Sequence, residues 1–348
     1  MWHNHFATSN LKVDDVGLMR QQNEMFRRYG RGPFGNLLRR VVKHPAMLIW
    51  LDAEANRKEH PNENLARELM ELFTLGVGNY TETDVKEAAR ALTGWTVSRG
   101  RFRFVEAYHD DDEKSILGHA GAYTGDDLFD LLLDHPAVAT RLAWRLCQTL
   151  MGESAVGEEA LRELADGLRE HDLDIDWAVE MILRSRAFFA EENVGTRVLG
   201  PAEYIVGTVR LLEAITPPPS TLLLAEQIAR LGQDLFYPPN VFGWDGGRSW
   251  ISTRSVIGCG SFAVALLDGT LRNPIEPIDV TGLAERHGCG SSPEKVLGFI
   301  VRLATGRAPT DALIAAAMRS TENDRVSNDT VPPRVVAAFL ASPAAQLG

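Results

Sequence analysis

The stretch from Pro61 to Trp95, PNENLARELMELFTLGVGNYTETDVKEAARALTGW, decides the fold. Within it Leu65, Leu69, Leu72 and Phe73 recur at three- and four-residue intervals, the spacing that stacks side chains on one side of a helix. A helix from about Glu63 to Leu75 is therefore expected, with Asn64, Glu68 and Glu71 on another face. Gly76 ends it as a C-terminal glycine does, and Gly78 keeps the chain turning. Thr81 or Thr83 can cap a second helix, whose first turns carry Glu82, Asp84 and Glu87 where the macrodipole favours acids; Gly94 stops it. Gly76-Val77-Gly78 is no dinucleotide-binding fingerprint, because it follows a helix and lacks the third glycine.

The same period extends outward. Asp14 and Asp15 precede a helical run to Tyr29, and Pro33 opens another with Phe34, Leu37, Leu38, Val41 and Val42 as its buried stripe. Arg101-Phe102-Arg103-Phe104 alternates instead, the one convincing strand signal, with its phenylalanines expected inward. Helices resume from Asp126 to Leu267. The segment from Arg272 to Gly290, with Asn273-Pro274, Glu276-Pro277 and late glycines, reads as a linker to a helical tail. The expectation is an all-α fold, a multi-helical globular array with at most one small β-hairpin near residues 101–104. It divides into a main domain over 1–270 and a small helical C-terminal extension over 271–348.

At 348 residues, with 45% hydrophobic and 24% charged side chains, the composition is globular and argues against disorder. A net charge of -11 argues against nonspecific nucleic-acid binding, which needs a positive field to displace counterions. Cys147, Cys259 and Cys289 lie too far apart for a zinc knuckle or redox pair and read as free thiols. No run of 18 apolar residues predicts a membrane span. The opening MWHNHFATSN has neither the basic nor the apolar region of a signal peptide, so the chain as it stands reads as cytoplasmic. Trp2 and Phe6 flank polar histidines, as at a helix end packed on neighbours. Met1 is thus expected not to open a complete domain, and a missing upstream signal segment would make the protein periplasmic or exported.

Three polar knots could carry chemistry. In Trp2-His3-Asn4-His5-Phe6 the histidines have a recurrent metal-ligand spacing. Glu68 and Glu71, one turn apart, match the way helices deliver ligands in carboxylate metal sites. His109 precedes three aspartates. The sharper reading joins His3, His5, Glu68, Glu71 and His109 in one site for a divalent zinc, manganese or iron, acting by Lewis-acid or redox chemistry on an extracellular substrate. The plainer one gives packing and capping histidines, a solvated acidic turn, and ion pairs from Arg67 to Glu63 or Glu71. No catalytic residue is assigned, and no nucleophile elbow, P-loop or HExxH motif is present.

The aromatic loop from Tyr237 to Trp250 supports a second class of function. Its glycines can simply let the backbone approach a core. Alternatively Trp244 and Trp250 form a stacking platform for a sugar, with Asp245 and Arg248 as polar anchors. That would make a noncatalytic protein that binds a polymer or a partner.

Taken in order, the strings Trp2-His3-Asn4-His5-Phe6, His44-Pro45-Ala46-Met47, Asn62-Glu63-Asn64, Ala66-Arg67-Glu68, Glu71-Leu72-Phe73-Thr74-Leu75-Gly76, Thr93-Gly94-Trp95, His109-Asp110, Pro238-Pro239-Asn240-Val241 and Gly243-Trp244 resemble the bacterial family called domain of unknown function 1800. The match covers about residues 1–265. The resemblance implies a mainly helical protein, often exported, with no established activity. It also implies a partner in a second exported family of unknown function, 1501, often encoded beside it. Members usually carry a helical region before the WHNHF string, which this chain lacks.

Overall fold

A computed structural model describes residues 1–153, 156–214, 217–320 and 331–348. The fold is mainly helical, as expected, with two small antiparallel hairpins among the described residues. Contacts divide the chain into two compact units, residues 1–189 with 236–244, and residues 190–235 with 245–348. No helix among the described residues is long and apolar enough to cross a membrane.

In the first unit the helices run α1 Trp2–His5, α2 Asn10–Val13, α3 Val16–Tyr29, α4 Phe34–Val42, α5 Pro45–Trp50, α6 Asn64–Glu68, α7 Glu82–Ala91, α8 Gly125–Asp134, α9 Pro136–Met151, α10 Glu158–Glu170 and α11 Ile175–Arg184. Local chemistry sets many of the starts. Asp15 caps α3, Thr81 and Asp84 make a capping box on α7, and Thr124 with Asp127 repeats it on α8. His44 and His135 each precede a proline and accept a backbone N–H through Nδ1, so both His-Pro pairs are helix starts. The helix expected over 63–75 is α-helical only to Glu68; Leu69–Thr74 forms a π-turn with a wider backbone register.

The hairpin near 101–104 pairs β1, Trp95–Ser98, with β2, Arg101–Phe104. Arg99 and Gly100 both take positive φ, as a tight two-residue hairpin turn requires. Its phenylalanines do not both turn inward: Phe102 packs edge-on against Trp95 at 5.3 Å, whereas Phe104 stays 48% exposed. A second hairpin, β3 Lys114–Ile116 with β4 His119–Gly121, occupies a stretch that reads as loop in the sequence. Only three residues long on each side, it is held because Lys114 and Ile116 are both buried.

Phe6 sits at the centre of the core of this unit. Fully buried, it has ring neighbours in Trp2, Phe26, Phe34 and Phe73, with centroids 5.1–6.2 Å away. The Trp2 indole donates to the Gly30 carbonyl at 2.8 Å, tying α1 to the end of α3. The returning segment Phe236–Trp244 is clamped to α1 by one side chain. Asn4 accepts from the Trp244 backbone N–H at 2.6 Å and donates to its carbonyl at 2.9 Å. Gly243, at φ +80, is needed there, because a Cβ would lie 2.2 Å from Asn4 Oδ1.

The second unit holds α12 Pro201–Leu211, α13 Thr221–Arg230, α14 Thr253–Leu267, α15 Val280–Arg286, α16 Pro293–Thr305, α17 Asp311–Arg319 and α18 Val331–Leu340. Its contacts group the chain differently from a division at residue 270. Phe262, Ala263 and Leu266 of α14 share one core with Val335, Val336 and Phe339 of α18, so helices on both sides of residue 270 pack together. The expected linker over 272–290 contains α15, capped by Asp279 and burying Val280, Leu283 and Ala284. Phe6→Ala removes the ring around which the first unit packs; we expect it to cost about 3–5 kcal/mol in chemical denaturation, and a loss below about 1 kcal/mol would contradict that placement.

Candidate functional site

A helix end leaves carbonyl groups without intrahelical donors. The π-turn makes this acute. The Leu75 and Gly76 N–H groups both reach back to the Met70 carbonyl, at 2.8 and 3.1 Å, and the Thr74 hydroxyl takes that of Leu69 at 2.6 Å. Side chains from elsewhere satisfy the next two exposed carbonyls. Arg141 on α9 donates to the Leu72 carbonyl through Nε and Nη2, at 3.0 and 2.9 Å. His5 Nε2 is 3.0 Å from the Phe73 carbonyl, and since a carbonyl only accepts, Nε2 carries the proton. Gly76, at φ +82, makes room for the arginine, because a Cβ would lie 3.0 Å from its Nη1.

Glu68 and Glu71 lie at the edge of this turn. Tyr80 donates to Glu71 Oε2 at 2.8 Å, and its own hydroxyl is pushed up to about 12 by burial and by that carboxylate. Glu68 is partly buried and has no hydrogen-bond partner among the described residues. Burial, then the charge of Glu71, pushes its carboxyl up to about 7. Arg67 does little to oppose this. Its guanidinium is engaged by Glu63 at 2.9 Å and by both oxygens of Glu82, at 2.7 and 2.8 Å, leaving the expected Arg67–Glu71 pairing unformed.

The five expected metal ligands do not gather. Among the described residues no three His, Cys, Asp or Glu side chains form a group that could hold a metal ion. His3 bonds Asn23 at 2.9 Å and sits edge-on between Phe26 and Phe236. His5 is 2% exposed, and burial together with the charges of Arg145 and Arg141 holds its pKa well below the usual imidazole value. A third cation beside two guanidiniums would be repelled, so His5 is placed as a neutral donor. His109 is buried with Nδ1 against the Thr93 carbonyl at 3.0 Å. Glu68 and Glu71 alone fall short of the three or four protein ligands of a zinc site.

The acidic string after His109 has its own cation. Lys114, with no exposed surface, points its ammonium into the loop and donates to the carbonyls of Asp110 and Asp112. Asp110 turns its carboxylate outward into a two-pronged ion pair with Arg90, at 2.7 and 3.2 Å. The loop is closed around an internal charge.

The aromatic loop is likewise split in role. Trp244, 7% exposed, belongs to the Asn4 clamp, while Tyr237 and Phe242 are exposed in the same segment. In the second unit, Asp245 and Arg248 are exposed, and the partly buried Trp250 lies near Gly200. The sequence reading missed Tyr80, Arg141, Arg145 and Lys114 as site residues. Only the two arginines carried a signal, a like-charged pair four residues apart on an otherwise apolar helix.

A family model described as protein of unknown function (DUF1800) matches residues 1–347. No curated protein and no solved structure matches the chain.

If Lys114 is the internal cation of the acidic loop, Lys114→Met should leave the part-buried carbonyls of Asp110 and Asp112 without their ammonium partner. The expected loss is about 1–3 kcal/mol in urea melts. An unchanged midpoint would show that the ammonium does not hold the loop.

Proposed function

The chain belongs to the DUF1800 family, a family of unknown function, and we propose that its reactive centre is the Glu68–Glu71 pair, working as general acid and base on a polar substrate. The observation that carries this reading is Glu68 itself: partly buried, without a hydrogen-bond partner among the described residues, and one turn from a second carboxylate. A carboxyl that keeps its proton to about pH 7 can donate it to a substrate oxygen and take it back, which is how carboxylate pairs divide the acid and base roles. Glu71, oriented by Tyr80 and near Arg141, supplies the negative partner. In what remains of the metal reading, Glu68 and Glu71 would hold a divalent ion, which would supply Lewis-acid chemistry and would need further ligands from substrate and water. The alternative of polymer binding rests on the exposed rings of Tyr237 and Phe242. Export and partnership with the second family rest on the resemblance alone.

The test is titration of the side-chain carboxyls by NMR. The pair should show an upper apparent pKa near 7 that disappears in Glu68→Gln and falls in Glu71→Gln. A Glu68 signal titrating with the ordinary carboxylates would end the acid–base assignment, and a sharp fall on adding zinc or manganese would transfer the pair to a metal. Stability carries the same signature. Glu68 is raised from 4.5 in the unfolded chain, so between about pH 4.5 and 7 the folded state keeps a proton that the unfolded state has lost. Stability contributed by this group therefore falls as pH rises through that window, and Glu68→Gln should flatten the slope in denaturation midpoints.

A further inference from the structure

We propose that Arg141 and Arg145 form the receptor for a singly charged oxyanion, a carboxylate or a sulfate ester, beside the Glu68–Glu71 pair. The two arginines stand four residues apart on α9, so their side chains leave the same face of the helix. Like charges at this spacing repel, and an acid would normally relieve them. Among the described residues neither guanidinium lies within ion-pair distance of a carboxylate. Arg141 spends Nε and Nη2 on the Leu72 carbonyl, and Gly76 leaves its Nη1 free of a neighbouring side chain. The Nε of Arg145 is shielded from solvent without a hydrogen-bond partner, and its guanidinium lies 5.6 Å from the Trp144 ring.

His5 is nearly fully buried and gives its Nε2–H to the Phe73 carbonyl, so its unpartnered Nδ1 is an acceptor and adds nothing to the binding of an anion. Burial and the neighbouring Arg145 push Arg141 down to about 10, and burial lowers Arg145 as well. The cluster is short of negative charge: Glu71 acts on Arg141 without an ion pair, no carboxylate among the described residues pairs with Arg145, and burial pushes the Glu68 carboxyl up to about 7. A water could accept one hydrogen bond there but would leave the charge uncompensated. An oxyanion supplies both, since its oxygens accept from guanidinium N–H groups in the forked geometry that arginine favours.

The inference deepens the reading of Glu68 and Glu71 as the reactive pair, by giving the substrate an anionic handle that would hold it beside them. Its test is nevertheless separate. The full chain is titrated with acetate, methyl sulfate and chloride at constant ionic strength, with the arginine Nε–H resonances and tryptophan fluorescence as readouts. We expect a saturable shift of the Arg145 Nε–H with acetate or methyl sulfate at about millimolar concentration, and only a weak, linear drift with chloride. The stronger of the two oxyanions identifies the handle. Binding should weaken about tenfold in Arg145→Gln, the loss of one charge-assisted partner, and less in Arg145→Lys, which keeps the charge and loses the fork. Should Arg145→Gln fail to fold by circular dichroism, the unsubstituted chain and Arg145→Lys carry the comparison. Glu68→Gln should bind the oxyanion as before, so failure of the acid–base reading leaves this result standing. Equal responses to chloride and the oxyanions, or a shift insensitive to both Arg145 substitutions, would overturn the proposal.

Discussion

The carbonyl groups of Leu72 and Phe73 tie the first unit together. A regular α-helix through these residues would engage more of its own carbonyls, whereas the π-turn over Leu69–Thr74 turns two of them toward neighbouring elements. One is taken by Arg141 from α9 and the other by His5 from α1. Three segments far apart in sequence thus meet at adjacent peptide groups. Because an unmade buried hydrogen bond costs about 1–3 kcal/mol, the turn is stable only with both partners in place. The same geometry puts Arg141 near Glu71 and leaves Arg145, one helical turn further on, without an acid.

Packing around Phe6 fixes the position of His5. The ring sits among four other aromatic residues, and burying a phenylalanine contributes about 1.5–3 kcal/mol. Residues on either side of it then have little freedom. His5 is pressed inward to the Phe73 carbonyl, and Asn4 faces the returning segment, where it holds both backbone groups of Trp244. A short α1, too short to be stable as an isolated helix, is held by tertiary contacts on two sides.

Charge is handled in three different ways in this unit. Arg67 is neutralised by two glutamates, and Arg90 by Asp110 and Glu87. Among the described residues no carboxylate forms an ion pair with Lys114; backbone carbonyls of the acidic loop solvate it, and burial lowers its pKa. Arg141 and Arg145 have neither arrangement in full. A string of one histidine and three aspartates resembles a ligand set on paper, but here the centre of that loop is already occupied by an ammonium group. Cations also surround His5, where Arg145 and Arg141 act with burial to hold its pKa well below the usual imidazole value.

The sequence by itself determined the helical fold, because apolar spacing of three and four residues, capping residues and His-Pro starts act over one or two turns. The elements from Asp14 to Tyr29, at Thr81, and over 293–304 and 310–319 were legible on those grounds. It also marked Glu68 and Glu71 as a pair, since residues three apart on a helix are neighbours in any fold. Tertiary structure alone decided the rest. Leu65, Leu69, Leu72 and Phe73 keep α-helical intervals in the sequence, so nothing in the spacing announces the π-turn. Tyr80, Arg141 and Lys114 come from segments whose local pattern is only loop, helix or strand, and their roles exist through distant carbonyls and carboxylates. His3 and His5 leave a single turn of helix in different directions, as residues two apart on a helix do, and the aromatic packing around Phe6 decides that His5 faces the core and His3 faces Asn23.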